Sequence, residues 1–420
     1  MNSATPAFLA VLLVTSLLAM PVIAGPEAND ATHDGPQPEF QPSTLQHAST
    51  EPVEAENTTN RLQPTGDTRD EVRTEYTTYG PDLGVALASV DDELRIDQEQ
   101  YTLVDSEFDA ASNDEREQMV SAAVDQIEDQ TDVIEERERD AVRGHADGEV
   151  SDTELIHTLL RNYHESQVLY DALNELDGER TDAIPGYALS RQQVRADETV
   201  LELQQTSLRS LLDQASQSTD ADGALDVQIQ TAEDGYSISA IDGDTYVTET
   251  TRFDNRDADG ENQFGDASHS DMIDRTTELY PWAADQSGLS FNEAGNQNLY
   301  VTTIEYDQNR LQVYLDGATN EITRESQELT LESLPEENNE SWENDDLEVM
   351  QTETPVNGPS ELTVTDSVSG DPVSATIEVD GTEVGETDDD GTVWFLPPGD
   401  EYELTAETDS REITETVSPD

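Results

Sequence analysis

The chain has 420 residues with an extreme charge balance: 96 Asp and Glu residues against 19 basic ones give a formal net charge of −77. Every basic residue is arginine, and hydrophobic residues make up only 34% of the chain. Such a negative surface repels nucleic-acid phosphates and anionic lipid head groups, which argues against binding to nucleic acid or to a membrane surface. The absence of cysteine excludes disulfide bonds, thiolate nucleophiles and cysteine zinc sites.

The acidic residues are spread along the chain and alternate with periodic Leu, Val and Ile. A disordered acidic chain concentrates its charge in blocks instead. In molar salt the screening length falls to about 3 Å, so repulsion within a folded chain of this charge largely disappears. The composition resembles that of proteins from extremely halophilic archaea, and this resemblance implies a fold that needs high salt.

The first apolar segment, Phe8–Ala24, is uncharged and ends in small residues that suit a signal peptidase. It is shorter than the roughly 20 residues of a membrane-spanning helix. We therefore predict a signal peptide at residues 1–24, an extracellular or cell-surface location, and no membrane span in the mature chain. The alternative is an uncleaved anchor, because Met1–Ala7 carries no basic residue.

Residues 25–81 are rich in Pro, Thr, Gln and Glu and contain few apolar side chains. Such a segment cannot bury enough apolar surface to offset the entropy lost on ordering, so we predict a disordered linker. Asn57 begins an Asn-Thr-Thr sequence and is a candidate glycosylation site.

Residues 82–216 carry apolar residues at alternating spacings of four and three, the period of helices that pack along one seam. The first such stripe comprises Leu83, Leu87, Val90, Leu94, Tyr101, Val104 and Phe108. Ser112 with Glu115, and Ser151 with Glu154, have the spacing of capping boxes. We predict a bundle of four helices of about 28 residues each. Polar residues, Glu138 among them, interrupt its seam.

Glu154 and His157 have the Glu-x-x-His spacing of carboxylate di-iron sites in helical bundles. That chemistry needs two such motifs and two further inward glutamates. His164 lacks a glutamate three residues before it, so we interpret the single motif as helix surface.

Residues 224–334 change to a period of two, with a helix predicted from about Ser270 to Ala284. Strands predicted at Leu299–Tyr306, Leu311–Asp316 and Glu321–Leu331 follow it. This helix-then-hairpin order resembles PepSY domains, and the resemblance implies a small binding or inhibitory module. The alternative is an α+β domain of another family.

One loop of this domain has the spacing of a calcium site. Its candidate ligands are Asn255, Asp257, Asp259, Glu261 and Asp266, and Gly260 stands at the sixth position. Calcium prefers six to eight oxygen ligands, which such a loop supplies. In a chain with 96 acidic residues this spacing also arises by chance, so a solvated acidic loop is the alternative.

Residues 335–359 are acidic and rich in Pro and Asn, and we predict a second linker with a candidate glycosylation site at Asn339. In residues 360–420, Gly370–Val373, Thr387–Gly391 and Pro397–Gly399 mark turns between short strands. This succession resembles the carboxypeptidase regulatory-like, or transthyretin-like, β-sandwich. The resemblance implies an accessory module without catalytic residues.

The predicted fold is multidomain: an all-α helical bundle, then a small α+β domain, then a C-terminal all-β sandwich. No nucleophile elbow, phosphate loop, dinucleotide fingerprint or metalloprotease motif occurs, so no catalytic residue and no cofactor other than calcium is predicted. We expect a non-catalytic exported or cell-surface protein acting in surface architecture, ligand binding or assembly with an unidentified protein or surface partner. The alternative is an extracellular hydrolase or a protease regulator.

Overall fold

The computed structural model describes a helical region, then antiparallel sheets, then a C-terminal all-β region. The described residues all belong to one compact unit, Val53–Asp420. They are 62–65, 72–218, 224–264, 269–281, 289–292, 298–306, 309–344, 346–354, 358–399 and 401–418. The predicted signal peptide, residues 1–24, lies outside them, as does most of the predicted linker 25–81.

The helices of the described residues are α1 (Leu83–Gln100), α2 (Asn113–Ala146), α3 (Asp152–Glu175), α4 (Arg191–Glu202), α5 (Ser207–Gln217) and α6 (His269–Leu279). Short π-helical turns continue α1 over Tyr101–Asp105 and α3 over Leu176–Arg180. The predicted capping boxes at Ser112 and Ser151 are confirmed at the starts of α2 and α3. None of these helices combines the length and the apolar character needed to cross a bilayer.

The prediction of four helices of similar length is wrong in detail. α2 has 34 residues and α3 has 24, whereas the predicted fourth helix is divided into α4 and α5. The division lies at Thr206, whose hydroxyl accepts a hydrogen bond from the backbone N–H of Arg209 at 3.4 Å. A side chain that caps a new helix ends the preceding one, which hydrophobic spacing alone does not reveal.

Eight antiparallel strands form the largest sheet, in the order β1-β2-β3-β4-β8-β7-β6-β5. Their bounds are β1 (Arg73–Tyr79), β2 (Leu225–Ala232), β3 (Gly235–Asp242), β4 (Thr245–Arg252), β5 (Leu289–Asn292), β6 (Leu299–Tyr306), β7 (Asn309–Asp316) and β8 (Ile322–Thr330). β2, β3 and β4 form the meander that the period of two predicts.

The predicted linker 25–81 is wrong at its C-terminal end, because residues 73–79 form β1, an edge strand of this sheet. They pair with β2 in a continuous antiparallel register from Arg73↔Thr231 to Tyr79↔Leu225. Tyr79 is buried at the end of the strand. Backbone hydrogen bonds to a strand far along the chain stabilise this segment. Its own composition is too polar to predict a strand.

The helices and the sheet share a hydrophobic cluster, so the predicted bundle and α+β domain are not packed independently. Leu155, Ile156 and Leu159 of α3 lie in the same cluster as Val227 and Ile229 of β2. Alternate side chains of β2 and β3 are apolar on this face, and burying them requires a covering layer. The helices supply that layer.

α1 is oriented opposite to the sequence prediction. Val85, Asp92 and Ile96 face inward, whereas Leu83 and Leu94, two residues of the predicted seam, are exposed. The cause is ionic, because Asp92 accepts two hydrogen bonds of 2.7 Å from Arg161 on α3. This bidentate ion pair holds the acidic side of α1 against α3.

The second face of the sheet is covered by α6 and by the short segment 62–65. Leu62 packs with Met272 and Tyr280 against residues of β7 and β8. Where this segment crosses β3, a Cβ on Gly235 would lie only 2.5 Å from the Pro64 carbonyl oxygen and 2.3 Å from that of Thr251. Glycine at this position permits the crossing.

The C-terminal β-sandwich has two four-stranded sheets, ordered β14-β11-β10-β9 and β13-β12-β15-β16. Its strands are β9 (Asn339–Glu343), β10 (Leu347–Thr352), β11 (Ser360–Asp366), β12 (Thr376–Val379), β13 (Thr382–Glu386), β14 (Thr392–Phe395), β15 (Tyr402–Glu407) and β16 (Glu412–Val417). Tyr402 lies in the sandwich core, but Trp394 packs outside it, with Tyr246 and Leu329 of the large sheet.

The prediction of a linker at residues 335–359 is wrong, because this segment contains β9 and β10, two strands of the sandwich. Leu347 and Val349 are buried and alternate with exposed Glu348 and Met350. β10 pairs with β11 through Val349↔Val364. The acidic residues that suggest a linker therefore occupy the outer face of a strand, where water solvates them.

Val349→Asp is predicted to destabilise the sandwich by about 3 kcal/mol or more, because it buries an unpaired carboxylate. Met350→Asp, at the next position on the exposed side of β10, is the control and should change stability by less than about 0.5 kcal/mol. Limited proteolysis with mass spectrometry in molar KCl measures both. Rapid cleavage of the unmodified chain within 339–352 would contradict the assignment of these residues to the sandwich.

Candidate functional site

A polar cleft lies between helices α3 and α5 and the large sheet, with a volume of about 510 Å³. Small-molecule pockets typically measure about 300–1,000 Å³. The cleft is lined by Tyr163, Gln167, Gln205, Thr206, Ser207, Ser210, Leu211, Gln214, Asp242, Thr245, Val247, Arg310 and Glu328. Most of the lining side chains are amides and hydroxyls, so a ligand in the cleft would be bound mainly by hydrogen bonds rather than by apolar contacts.

The charged residues of the cleft lining are Asp242, Glu328 and Arg310. Arg310 Nη1 lies 3.6 Å from Glu328 Oε1, and the Ser207 hydroxyl donates a hydrogen bond to the same carboxylate. The side-chain nitrogen of Gln205 is buried and has no hydrogen-bond partner within the described residues. A buried amide donor without a partner costs free energy, which an acceptor oxygen on a ligand would recover.

Beneath the cleft lies the buried ion-pair cluster, defined as Glu138 of α2, Arg209 of α5, Tyr236 of β3, Glu249 of β4 and Arg324 of β8. None of these residues is more than 3% exposed. Arg209 Nη2 lies 2.8 Å from Glu138 Oε1 and 3.0 Å from Glu249 Oε1. Arg324 also pairs with Glu138. Two cations and two anions are thus buried together as a neutral group.

Neutral and backbone groups complete the hydrogen bonding of the buried ion-pair cluster. The Tyr236 hydroxyl donates to Glu138 at 2.7 Å, and the Arg324 Nε–H donates to the Thr251 hydroxyl at 2.8 Å. The Thr206 hydroxyl donates to Glu249 and also lines the cleft. Thr206 therefore connects the floor of the cleft to the cluster.

The electrostatics of the cluster keep both carboxylates ionised. Burial alone raises the pKa of Glu138, but Arg209 and Arg324 outweigh it and lower this pKa to about 2. Burial opposes the ionised form of Glu249 in the same way, and the same two arginines hold its pKa below the ordinary value. Burial, which disfavours the phenolate, raises the pKa of Tyr236, so its hydroxyl remains a donor.

Two histidines of α3 connect neighbouring elements near the cleft. His164 Nε2 lies 2.9 Å from Asp213 Oδ1 on α5, beside Tyr163 and Gln214 of the cleft wall. His157 pairs with Asp82, the residue that caps the start of α1. The remaining member of the Glu-x-x-His motif, Glu154, accepts hydrogen bonds from Ser151 and closes a capping box. Both residues of the motif thus have local structural partners.

The candidate calcium ligands do not converge in the described residues. Asp257, Asp259 and Glu261 are exposed, and Asn255 Nδ2 donates to the Ile322 carbonyl at 2.7 Å. No group of three or more His, Asp or Glu side chains that could hold a metal occurs in the described parts of the chain. Asp266 lies outside them, so calcium binding by the complete loop stays a prediction.

Of the two candidate glycosylation sites, Asn339 is exposed at the start of the edge strand β9. It is therefore accessible to modification. Asn57 lies outside the described residues.

Sequence reasoning did not find the cleft or the buried ion-pair cluster. One signal was available: Glu138 occupies an apolar seam position of α2 and was interpreted as an interruption. A charged residue at a buried helical position implies a partner of opposite charge. The two arginines that pair with Glu138 are Arg209 and Arg324, which lie 71 and 186 positions away in the sequence. Residue spacing does not predict contacts over such separations.

A family model described as Domain of unknown function (DUF7096) matches residues 1–221, more than half of the chain. The chain belongs to this family. Two further family models match later parts of the chain. One, described as Family of unknown function (DUF7094), matches residues 227–335, and the other, described as Archaeal fibronectin-III type-like domain, matches residues 338–415. No curated protein and no solved structure matches the chain.

These matches revise the resemblances drawn from motifs. The C-terminal sandwich is archaeal and fibronectin-III type-like, and its match begins inside the predicted linker 335–359. Resemblance to the carboxypeptidase regulatory-like family and to PepSY is not shown. Glu138 and Arg209 lie in the DUF7096 segment, whereas Glu249 and Arg324 lie in the DUF7094 segment. The buried ion-pair cluster therefore joins the two segments.

Glu138→Gln is predicted to lower the free energy of unfolding at pH 7 by about 3–5 kcal/mol, because it leaves two buried arginines with one carboxylate. The lowered pKa of Glu138 also means that its contribution is complete above about pH 5 and is lost as the pH falls toward 2. The variant should therefore lose less stability on acidification than the unmodified chain. Urea unfolding in molar KCl at several pH values measures both effects.

Glu136→Gln is the matched control, since Glu136 is exposed on the same helix. It should leave stability at pH 7 within about 0.5 kcal/mol. Equal stabilities of the two variants would contradict the role assigned to Glu138.

Proposed function

We propose that this chain is a non-catalytic, exported or cell-surface binding protein of an extremely halophilic archaeon, and that its polar cleft binds a small hydroxyl-rich molecule, such as a saccharide or polyol. The observation that supports this most directly is the cleft itself, with the unpartnered amide of Gln205 in its lining. The fibronectin-III type-like sandwich then acts as an accessory module or as a contact to surface architecture.

The lining of the cleft favours this ligand chemistry over others. Amides and hydroxyls both donate and accept hydrogen bonds, as sugar hydroxyls do. The Tyr163 ring offers a flat apolar surface for the C–H face of a sugar. A strongly anionic ligand is disfavoured by the net charge of −77, and an apolar ligand would leave the polar lining without partners.

Export is supported by two independent features. The apolar run Phe8–Ala24 has the composition of a signal peptide. The candidate glycosylation site Asn339 is exposed on an edge strand, where a glycan can be attached.

Ligand binding is tested by isothermal titration in molar KCl with a panel of neutral mono- and disaccharides and polyols. Gln205→Leu is predicted to weaken the affinity for the ligand by about tenfold, the loss expected for one buried hydrogen bond. Gln192→Leu, an exposed position on α4 outside the cleft, is the control and should bind like the unmodified chain. Failure of the whole panel to bind would exclude this ligand class, and equal affinity in the Gln205 variant would exclude the cleft as the binding site.

The alternative of an extracellular hydrolase or a protease regulator is separated by activity assays at the same salt concentration. Hydrolysis of a glycoside, ester or peptide by the full chain would contradict the non-catalytic proposal. Inhibition of a secreted protease by the full chain would instead favour the alternative of a protease regulator.

Dependence on high salt is tested by circular dichroism during dialysis from molar to millimolar KCl. The chain is predicted to lose most of its secondary structure, because repulsion among unbalanced surface carboxylates returns as screening is removed. An unchanged spectrum over this range would contradict the halophilic assignment.

A further inference from the structure

Helix α1 presents an apolar stripe to solvent. Five large side chains along it are between 51% and 74% exposed. The α1 stripe consists of Leu83, Leu87, Val90, Leu94 and Tyr101. Apolar residues in solvent are ordinary when scattered, but a contiguous row marks an interaction surface.

The spacing of the α1 stripe is that of a coiled-coil seam. Leu83, Leu87, Val90 and Leu94 are separated by four, three and four residues, the alternation of d and a positions in a heptad. At 3.6 residues per turn the stripe is about 60° wide. It lies on the side of the helix opposite the inward-facing Val85 and Ile96.

The exposure of the stripe is not the result of a loosely attached helix. Asp92 forms a bidentate ion pair with Arg161, and Arg95 Nη2 lies 3.0 Å from Glu165 Oε1. Both partners are on α3, so the opposite side of α1 is fixed to the helical layer. Turning the stripe inward would carry Asp92 and Arg95 away from α3 and leave Arg161 and Glu165 facing apolar side chains without these partners.

We propose that the α1 stripe binds the same stripe of a second copy of this chain, forming an antiparallel two-helix contact across a twofold axis. A narrow seam of a and d positions is self-complementary, because the same side chains supply both knobs and holes. A lipid surface fits less well, since Asp91 and Glu93 flank the stripe and interfacial helices carry basic residues there. Between two copies these carboxylates also repel each other, but molar salt screens that repulsion.

Asp97 decides the orientation of the two helices. It occupies the seam position between Leu94 and Tyr101 and is exposed. In a parallel pair Asp97 would face its own copy, and two carboxylates would meet. In an antiparallel pair centred between Val90 and Leu94, Asp97 faces Leu87 of the second copy, and no like-charge contact forms at the seam.

The available area limits the strength of this contact. From Leu83 to Tyr101 the stripe extends about 27 Å and, at a helix width of about 10 Å, offers on the order of 300–500 Å² per copy. Stable complexes bury about 800 Å² per partner. The structure therefore predicts a weak dimer, with a dissociation constant on the order of 10–100 μM.

Sedimentation equilibrium of the full chain in molar KCl tests the proposal. The weight-average mass should rise from that of one chain at about 1 μM toward that of two at a few hundred μM. The double variant Leu87→Asn/Leu94→Asn should remain monomeric over this range, with an unchanged circular dichroism spectrum. Val368→Asn, which changes an 87% exposed residue of the sandwich, should dimerise like the unmodified chain.

The absence of cysteine from the chain permits a clean test of orientation. Under mild oxidation the pair Val90→Cys/Leu94→Cys should form covalent dimers, because each residue meets the other across the antiparallel axis. Leu87→Cys alone should not, since its two copies would be about 15 Å apart along the helices. Rapid cross-linking of the Leu87 variant would overturn the antiparallel arrangement.

Two outcomes would overturn self-association itself. One is a chain that stays monomeric at a few hundred μM, and the other is a double variant that still dimerises. If the monomeric chain instead sediments with neutral phosphatidylcholine vesicles and the double variant does not, the stripe belongs to a lipid surface. Failure of saccharide binding leaves this proposal unaffected, because the polar cleft and the α1 stripe share no residue.

Discussion

The buried ion-pair cluster is the constraint on which the rest of the central structure depends. Moving each ion out of water costs several kcal/mol, so the cluster is tolerable only while every charge keeps its partner. Its members come from α2, α5, β3, β4 and β8. A shift of any one of these elements would leave a buried charge unpaired. The cluster therefore fixes how the helical layer lies on the sheet, whereas apolar packing alone would tolerate several arrangements.

The polar cleft is a consequence of the same constraint. Arg209 and Leu212 direct one side of α5 into the interior, so Ser210 and Gln214 on the same helix line the cleft. Thr206 belongs to both features, because it begins α5, lines the cleft and hydrogen-bonds Glu249. A ligand in the cleft would thus be held by a helix whose position is set by buried charges, which gives the site the rigidity that specific hydrogen bonding requires.

Sequence signals between neighbouring residues predicted caps and turns well, but they did not predict contacts between segments far apart in the chain. Capping at Ser112 and the turn at Asp242–Asp244 depend on neighbouring residues and could be predicted from them. β1 was missed because its partner strand, β2, lies far along the chain. β10 was missed although its partners β9 and β11 are its neighbours in the chain, because the segment around it is acidic and polar. The spacing of the α1 stripe predicted that it packs inside the helical bundle, and this was wrong, because the ion pair of Asp92 with Arg161 determines which side of α1 faces inward. The cleft could not be predicted, since its walls come from α3, α5 and separate strands of the large sheet.

The use of arginine links the interior to the surface charge. With only 19 basic residues in the chain, each arginine committed to the interior leaves another surface carboxylate unbalanced. Arg209 and Arg324 serve the buried ion-pair cluster, and Arg161 holds Asp92 with the planar bidentate geometry that lysine lacks. The pairs of the buried ion-pair cluster are shielded from solvent, so salt screens them little. The proposed salt dependence would therefore arise from the surface: removing salt would raise repulsion between outer carboxylates, while the buried pairs would continue to hold the helices on the sheet until that repulsion exceeded them.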